Sequence, residues 1–231
     1  MSLSVDSRHC GTVYVIKCTG RIVTGDEITV LEASINRGLR EFVRIVLHVG
    51  DVTRVDSTGM GLMVRFLSHC RNRGGDVRLA APPPFLESLL QMTKLASIFR
   101  IYGSEEEAIV SFLKEPAAPR QDNTVAGPMV LFVDQSPDLC AFVRHLLHHH
   151  GYEVLSTCRV HDAKMLLTAA KVDYIVLGPD NSQLPSDKVV ASLQPLAPSA
   201  RTLVLESDFK HSDAEQAGAE LLRMMQAGAQ S

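Results

Sequence analysis

Val55-Asp56-Ser57-Thr58-Gly59-Met60-Gly61 joins the apolar run Val43-Arg44-Ile45-Val46-Leu47-His48-Val49 to an amphipathic run from Leu62 to Cys70. The change of pattern marks a strand giving way to a helix. Ser57 or Thr58 is expected at or beside the helix N-cap, where a short oxygen side chain accepts a hydrogen bond from a backbone N–H that the helix leaves unpaired. The same end of a helix favours negative charge. A phosphate on Ser57 is therefore tolerated by the domain, while it adds about −1.5 to −2 charges to the surface that the loop presents. These seven residues admit two readings. One is a switch for binding; the other is an N-cap serine followed by glycines that ease a turn.

The surrounding pattern extends this strand-to-helix unit in both directions. Gly11 to Thr19 reads as a strand, and Asp26 to Phe42 carries Ile28, Leu31, Ile35 and Leu39 at helical spacing. The helix opened by Ser57 is expected to end near Arg73-Gly74-Gly75, where glycine adopts the left-handed conformation. Asp76 to Ala81 reads as a strand, Phe85 to Met92 as a helix after Pro82-Pro83-Pro84, and Ile98 to Tyr102 as a short strand. Ser104-Glu105-Glu106-Glu107 has the capping-box pattern and opens a helix to about Leu113. Alternating strands and helices predict an α/β domain over residues 1–114.

Glu115 to Pro128 contains three prolines and little to pack, so 115–128 reads as a linker and 129–231 as a second domain. Two modest domains suit 231 residues. The formal net charge is −3, and no Lys/Arg block interleaves with aromatics, so direct nucleic-acid binding is not expected. No apolar stretch reaches the ~20 residues that cross a bilayer, and the start Met1-Ser2-Leu3-Ser4-Val5-Asp6 is polar. The expectation is a cytoplasmic protein with no membrane insertion. Cys10, Cys18, Cys70, Cys140 and Cys158 show no CxxC spacing, and reduced, buried thiols are expected rather than a disulfide framework or a zinc site.

Gly20-Arg21-Ile22, Ile45-Val46-Leu47, Asp56-Ser57-Thr58-Gly59-Met60-Gly61 and Gly74-Gly75-Asp76-Val77, in this order of elements, resemble STAS domains. That family includes bacterial anti-sigma factor antagonists and the cytoplasmic ends of sulfate transporters, and the resemblance covers residues 8–114. It implies a mixed sheet with helices. It also implies phosphorylation of the serine after the loop aspartate, here Ser57, with Thr58 the weaker candidate. The implied partners are an anti-sigma factor with serine kinase activity and a PP2C-type phosphatase, with capture of the anti-sigma factor blocked by phosphorylation. Arg21, Thr24, Gly25, Asp56, Ser57, Thr58, Gly59, Met60 and Gly61 are the expected partner-binding residues. His48 stands where many family members carry an acid, and is read as a satisfied strand residue.

The second half opens with the apolar strand Met129 to Val133 ending at Asp134, then a helix after Pro137 bearing Leu139, Phe142, Val143, Leu146 and Leu147. Gly151 to Leu155, Val172 to Leu177 and Arg201 to Leu205 read as strands, with Asp162 to Ala170 helical. This order resembles a response-regulator receiver, a flavodoxin-like fold with a parallel sheet, here truncated before a last strand and helix. A receiver phosphorylates an aspartate after its third strand, and acids after the first strand help to hold Mg²⁺. The degenerate receiver site is Asp134, Gln135, Gly178 at the nucleophile position and Glu206 at the Ser/Thr position. Met225, after Ala217-Gly218-Ala219, occupies the expected lysine position. Glycine cannot form an acyl phosphate. Use of the nearby Asp180 requires the third strand to slip two residues.

His145, His148, His149 and His150 lie at a helix C-terminus, where cations are ordinarily found, and Glu105 to Glu107 at a first turn, where acids are. No catalytic constellation, metal site or cofactor is expected. The leading reading is a non-catalytic bacterial signalling protein regulating sigma-factor-dependent transcription, its receiver-like domain adding a homodimer contact or a second partner. The alternatives are a constitutive STAS scaffold and an atypical phosphotransfer protein using Asp180.

Overall fold

Apolar side chains on both faces of Val13–Ile22 and Arg44–Val55 require a sheet covered on both sides, and the computed structural model supplies one. It describes residues 2–115, 127–180, 185–206, 209 and 214–226. The chain divides into two compact units, Met1–Ala118 and Pro119–Ser231.

In the first unit the strands are β1 (Ser4–Cys10), β2 (Val13–Ile22), β3 (Arg44–Val55), β4 (Asp76–Ala80) and β5 (Arg100–Tyr102), in the order β5-β4-β3-β2-β1. β1 pairs antiparallel with β2 and every other pair is parallel, so the sheet is mixed. The helices are α1 (Asp26–Leu39), α2 (Ser57–Asn72), α3 (Pro84–Met92) and α4 (Glu105–Lys114), with a 3₁₀ turn at Leu95–Ser97. Ile16, Ile45, Leu47 and Leu79 meet Leu31, Ile35, Leu62, Met63, Leu67, Leu86 and Leu90 in one core, which places α1, α2 and α3 on one face. Strand alternation turns Val46 and Arg78 the other way, and Phe112 of α4 lies 3.6 Å from the buried Arg78 guanidinium. Arg78 also donates to Ser111 Oγ and to Glu115 at the end of α4. Burial raises the Glu115 carboxyl, but the guanidiniums of Arg78 and Arg100 outweigh it and hold it below its ordinary range.

In the second unit the strands are β6 (Met129–Val133), β7 (Glu153–Thr157), β8 (Tyr174–Leu177) and β9 (Arg201–Val204), all parallel, in the order β7-β6-β8-β9. The helices are α5 (Pro137–His149), α6 (Val160–Ala169), α7 (Ser186–Leu193) and α8 (Ala214–Gln226). Val130, Phe132, Val176 and Leu203 form a core with Cys140, Val143 and Leu147 of α5 and Ala217, Leu221 and Met225 of α8.

Several expectations are corrected. β1 forms before the first expected strand, because its ladder to β2 needs backbone groups rather than apolar side chains. β3 runs on to Val55 rather than Val49. Ala217 to Ala219 and Met225 lie within α8, not at a fifth strand: Ala217, Leu221 and Met225 recur at helical spacing and are buried. Met225 is therefore a core residue. Cys158 is half-buried rather than buried, while all five thiols are free. His48 Nδ1 is buried without a hydrogen-bond partner among the described residues, so it is not a satisfied strand histidine. Most of the 115–128 linker lies outside the described residues.

Candidate functional site

β3 ends at Val55, and Asp56, extended at φ −103° and ψ −177°, caps α2. Its Oδ1 accepts from Gly59 N at 2.9 Å. The cap is thus the aspartate rather than the hydroxyl of Ser57 or Thr58, because a carboxylate in this position satisfies the orphan amide and complements the helix dipole. Ser57 becomes the first helical residue. Its side chain is exposed and makes no hydrogen bond among the described residues.

The loop between β2 and α1 is tied to this cap. Thr24 N and Thr24 Oγ1 donate to Asp56 Oδ2 at 2.8 and 2.9 Å, and the hydroxyls of Thr24 and Thr58 share a 2.7 Å hydrogen bond. Hydrogen bonds from the amides of Gly59 and Thr24, aided by the Thr24 hydroxyl, hold the Asp56 carboxyl below its ordinary range. Gly25, at φ +129°, is the N-cap of α1, a conformation that disfavours any side chain. Gly59 is required by close approach, since a Cβ there would sit 2.4 Å from Ile22 O. Arg21 points elsewhere and pairs with Glu27 at 3.2 Å.

Met60 is 6 % exposed and Gly61 lies open, with nothing within 4 Å of an added Cβ. Both line a mainly apolar cleft of about 460 Å³ that runs from Val55, Asp56 and Ser57 to Val64 on α2 and Leu89 near the end of α3. Leu89, Thr93 and Leu95 were not among the expected site residues. The signal for Leu89 lay in the amphipathic run Phe85 to Met92, whose apolar positions exceed what one buried stripe needs, while Thr93 and Leu95 lie beyond that run and had no such signal.

In the second unit, Asp134 is buried. Its Oδ1 accepts from Ser136 N at 2.7 Å and its Oδ2 from Asp180 N at 2.9 Å. A Cβ on Gly178 would lie 2.2 Å from Asp134 Oδ2, so the Asp134 carboxylate fills the space a side chain at 178 would need. Gln135 is exposed, its amide donating to Asp180 O at 2.6 Å. Asp180 is exposed and lies beyond β8, whose pairing from Val130↔Tyr174 to Val133↔Leu177 shows no slip. Glu206 is exposed just past β9. The structure brings Asp134, Gly178 and Asp180 together as a closed loop contact. His150 Nδ1 donates to Leu146 O at 2.9 Å, and the rings of His145 and His149 meet edge-on at 4.4 Å.

Residues 4–108 match the STAS domain model. Over 80 residues the chain is 31% identical to a candidate anti-sigma factor antagonist of Thermotoga maritima, an overlap of 35% of this chain and 68% of that one. The chain belongs to the STAS family of anti-sigma factor antagonists. An anti-sigma F factor antagonist of Paenibacillus polymyxa is 26% identical over 112 residues, 47% of this chain and 94% of the relative. Among solved structures, the Bacillus cell fate determinant SpoIIAA in its phosphorylated form is 19% identical, covering 48% of this chain and 99% of that chain at a TM-score of 0.40. Membership places the first unit of this STAS protein among regulatory binding domains rather than enzymes. No helix among the described residues is long and apolar enough to cross a membrane.

Proposed function

We propose that this STAS protein is an anti-sigma factor antagonist whose first unit binds an anti-sigma factor with serine kinase activity, and that phosphorylation of Ser57 releases it. The observation that carries this reading is the position of Ser57: an exposed hydroxyl, not consumed by capping, on the rim of an apolar cleft. A phosphate at that rim places a dianion beside the ionised Asp56 and against any apolar partner surface, where repulsion and desolvation oppose docking. Thr58 is the weaker acceptor because its hydroxyl already bonds Thr24. A PP2C-type phosphatase would restore binding. The second unit is a degenerate receiver-like domain that makes a homodimer or second-partner contact without phosphotransfer. Its parallel order β7-β6-β8-β9 supports the likeness, and the filled space at Gly178 supports the loss of chemistry.

The test is titration of the protein against the cognate anti-sigma factor, with mass spectrometry after incubation with that kinase and ATP. A single phosphate on Ser57 is expected, with Ser57→Ala binding like wild type. Ser57→Asp should bind at least about tenfold more weakly, a cost of ~1.4 kcal/mol. Wild-type affinity in Ser57→Asp would instead support a constitutive scaffold.

A further inference from the structure

Cys140, in the first turns of α5, is buried, and Cys158, immediately after β7, is half-buried. Their sulfurs lie within 4.8 Å of each other. Cys140 Sγ donates to Asp134 O at 3.3 Å and lies 3.9 Å from Thr157 O, which fixes the buried thiol in the corner between β6 and β7. The binding surface around Ser57 makes no use of this pair.

The two thiols differ in character. The neighbouring Cys140 side chain lowers Cys158 below the ordinary thiol range, while the Cys158 side chain and burial push Cys140 up. Elsewhere, burial raises Cys18 to about 12 and Cys70 to about 11, which leaves both as inert thiols.

We propose that Cys140 and Cys158 form a peroxide-sensitive dithiol, with the partly exposed Cys158 as nucleophile and the buried Cys140 as resolving thiol. The Cys158 thiolate attacks a hydroperoxide oxygen. An S–O bond forms, the O–O bond breaks, and the departing oxygen takes up a proton and leaves as alcohol or water. Cys140 then gives up its proton and attacks the Cys158 sulfenic sulfur; the S–S bond forms, the S–O bond breaks, and hydroxide leaves with that proton as water. The two thiols lose two electrons and the peroxide gains them. Side-chain rotation must bring the sulfurs to about 2.0 Å. The resulting disulfide ties α5 to the turn before α6, beside Asp134.

The test is treatment of the reduced full-length protein with one equivalent of hydrogen peroxide, followed by intact mass measurement and non-reducing peptide mapping. Loss of two hydrogens, a cross-link between the Cys140 and Cys158 peptides and its reversal by dithiothreitol are expected. Cys158→Ser should abolish the loss. Cys140→Ala, checked for folding by circular dichroism, should accumulate a dimedone-reactive sulfenic acid on Cys158. A cross-link at Cys10, Cys18 or Cys70 instead, oxygen added to Cys158 without a link to Cys140, or no oxidation of Cys158 would each overturn the proposal. The wild-type map alone decides between these outcomes if a variant fails to fold.

Discussion

Three donors converge on one carboxylate at Asp56: the Gly59 amide in the first turn of α2, and the amide and hydroxyl of Thr24. Removing the side chain loses a helix cap and frees the loop before α1, so Asp56→Ala should cost about 1–2 kcal/mol in urea unfolding. Asp56→Asn keeps an acceptor for the cap but only one oxygen, and should cost less. Acidification separates charge from shape. The folded carboxyl titrates below its ordinary range, so its stabilisation is fully present above the unfolded value of about 3.9 and fades as pH falls through the lower folded value. The stability gap between wild type and Asp56→Asn should therefore narrow from pH 7 to pH 2. A gap that stayed constant would mean that the charge contributes nothing.

α2 carries two glycines near its start that answer to different demands. Gly59 is enforced from within by Ile22 O, whereas nothing in the chain approaches the position of a Cβ on Gly61. A mid-helix glycine costs about 0.5–1 kcal/mol against alanine, so Gly61→Ala should raise stability by that amount in thermal or urea unfolding. Because Gly61 lines the apolar cleft beside Ser57, the same variant should weaken partner binding. Greater stability with undiminished affinity would remove the cleft from the binding surface. The contrast also shows what the chain's pattern could reveal. The starts of α1, α2, α3 and α4 were legible because apolar residues at helical spacing follow proline, glycine or acidic caps, whereas α1 ends at Leu39 rather than Phe42, with no proline or glycine after it to mark the stop. β1 was not, since its residues are mostly polar and it is held by ladder bonds that no side chain announces. α7 is short, and α8 was masked by a small-residue run, Ala217 to Ala219, that reads equally well as a loop. At the site, Ser57 was legible but its neighbour's role was not: the Asp56–Thr24 bonds join segments 32 residues apart, a link without a local pattern.

Over the whole molecule, two units of similar layered construction differ in what the carboxylate at the end of one strand leaves beside it. In the first, the strand-end carboxylate of Asp56 turns its oxygens to Thr24 and Gly59 and leaves the adjacent Ser57 hydroxyl in solvent. In the second, the strand-end carboxylate of Asp134 turns its oxygens to the amides of Ser136 and Asp180 and occupies the space over Gly178. Accommodating an aspartate at 178 is therefore not a matter of one substitution. Gly178→Asp forces a Cβ to within 2.2 Å of Asp134 Oδ2, and the two carboxylates would repel in a buried corner. Acetyl phosphate with Mg²⁺ should leave the full-length protein without an acyl phosphate, and Gly178→Asp should remain unmodified while losing about 1–3 kcal/mol of stability. The measurement is intact mass before and after hydroxylamine, alongside denaturant unfolding. A hydroxylamine-labile phosphate in wild type, mapped to the Asp180 peptide, would show live chemistry there. One in Gly178→Asp alone would mean that Asp134 yields its space, and that a single residue rather than the whole corner keeps the second unit from accepting phosphate.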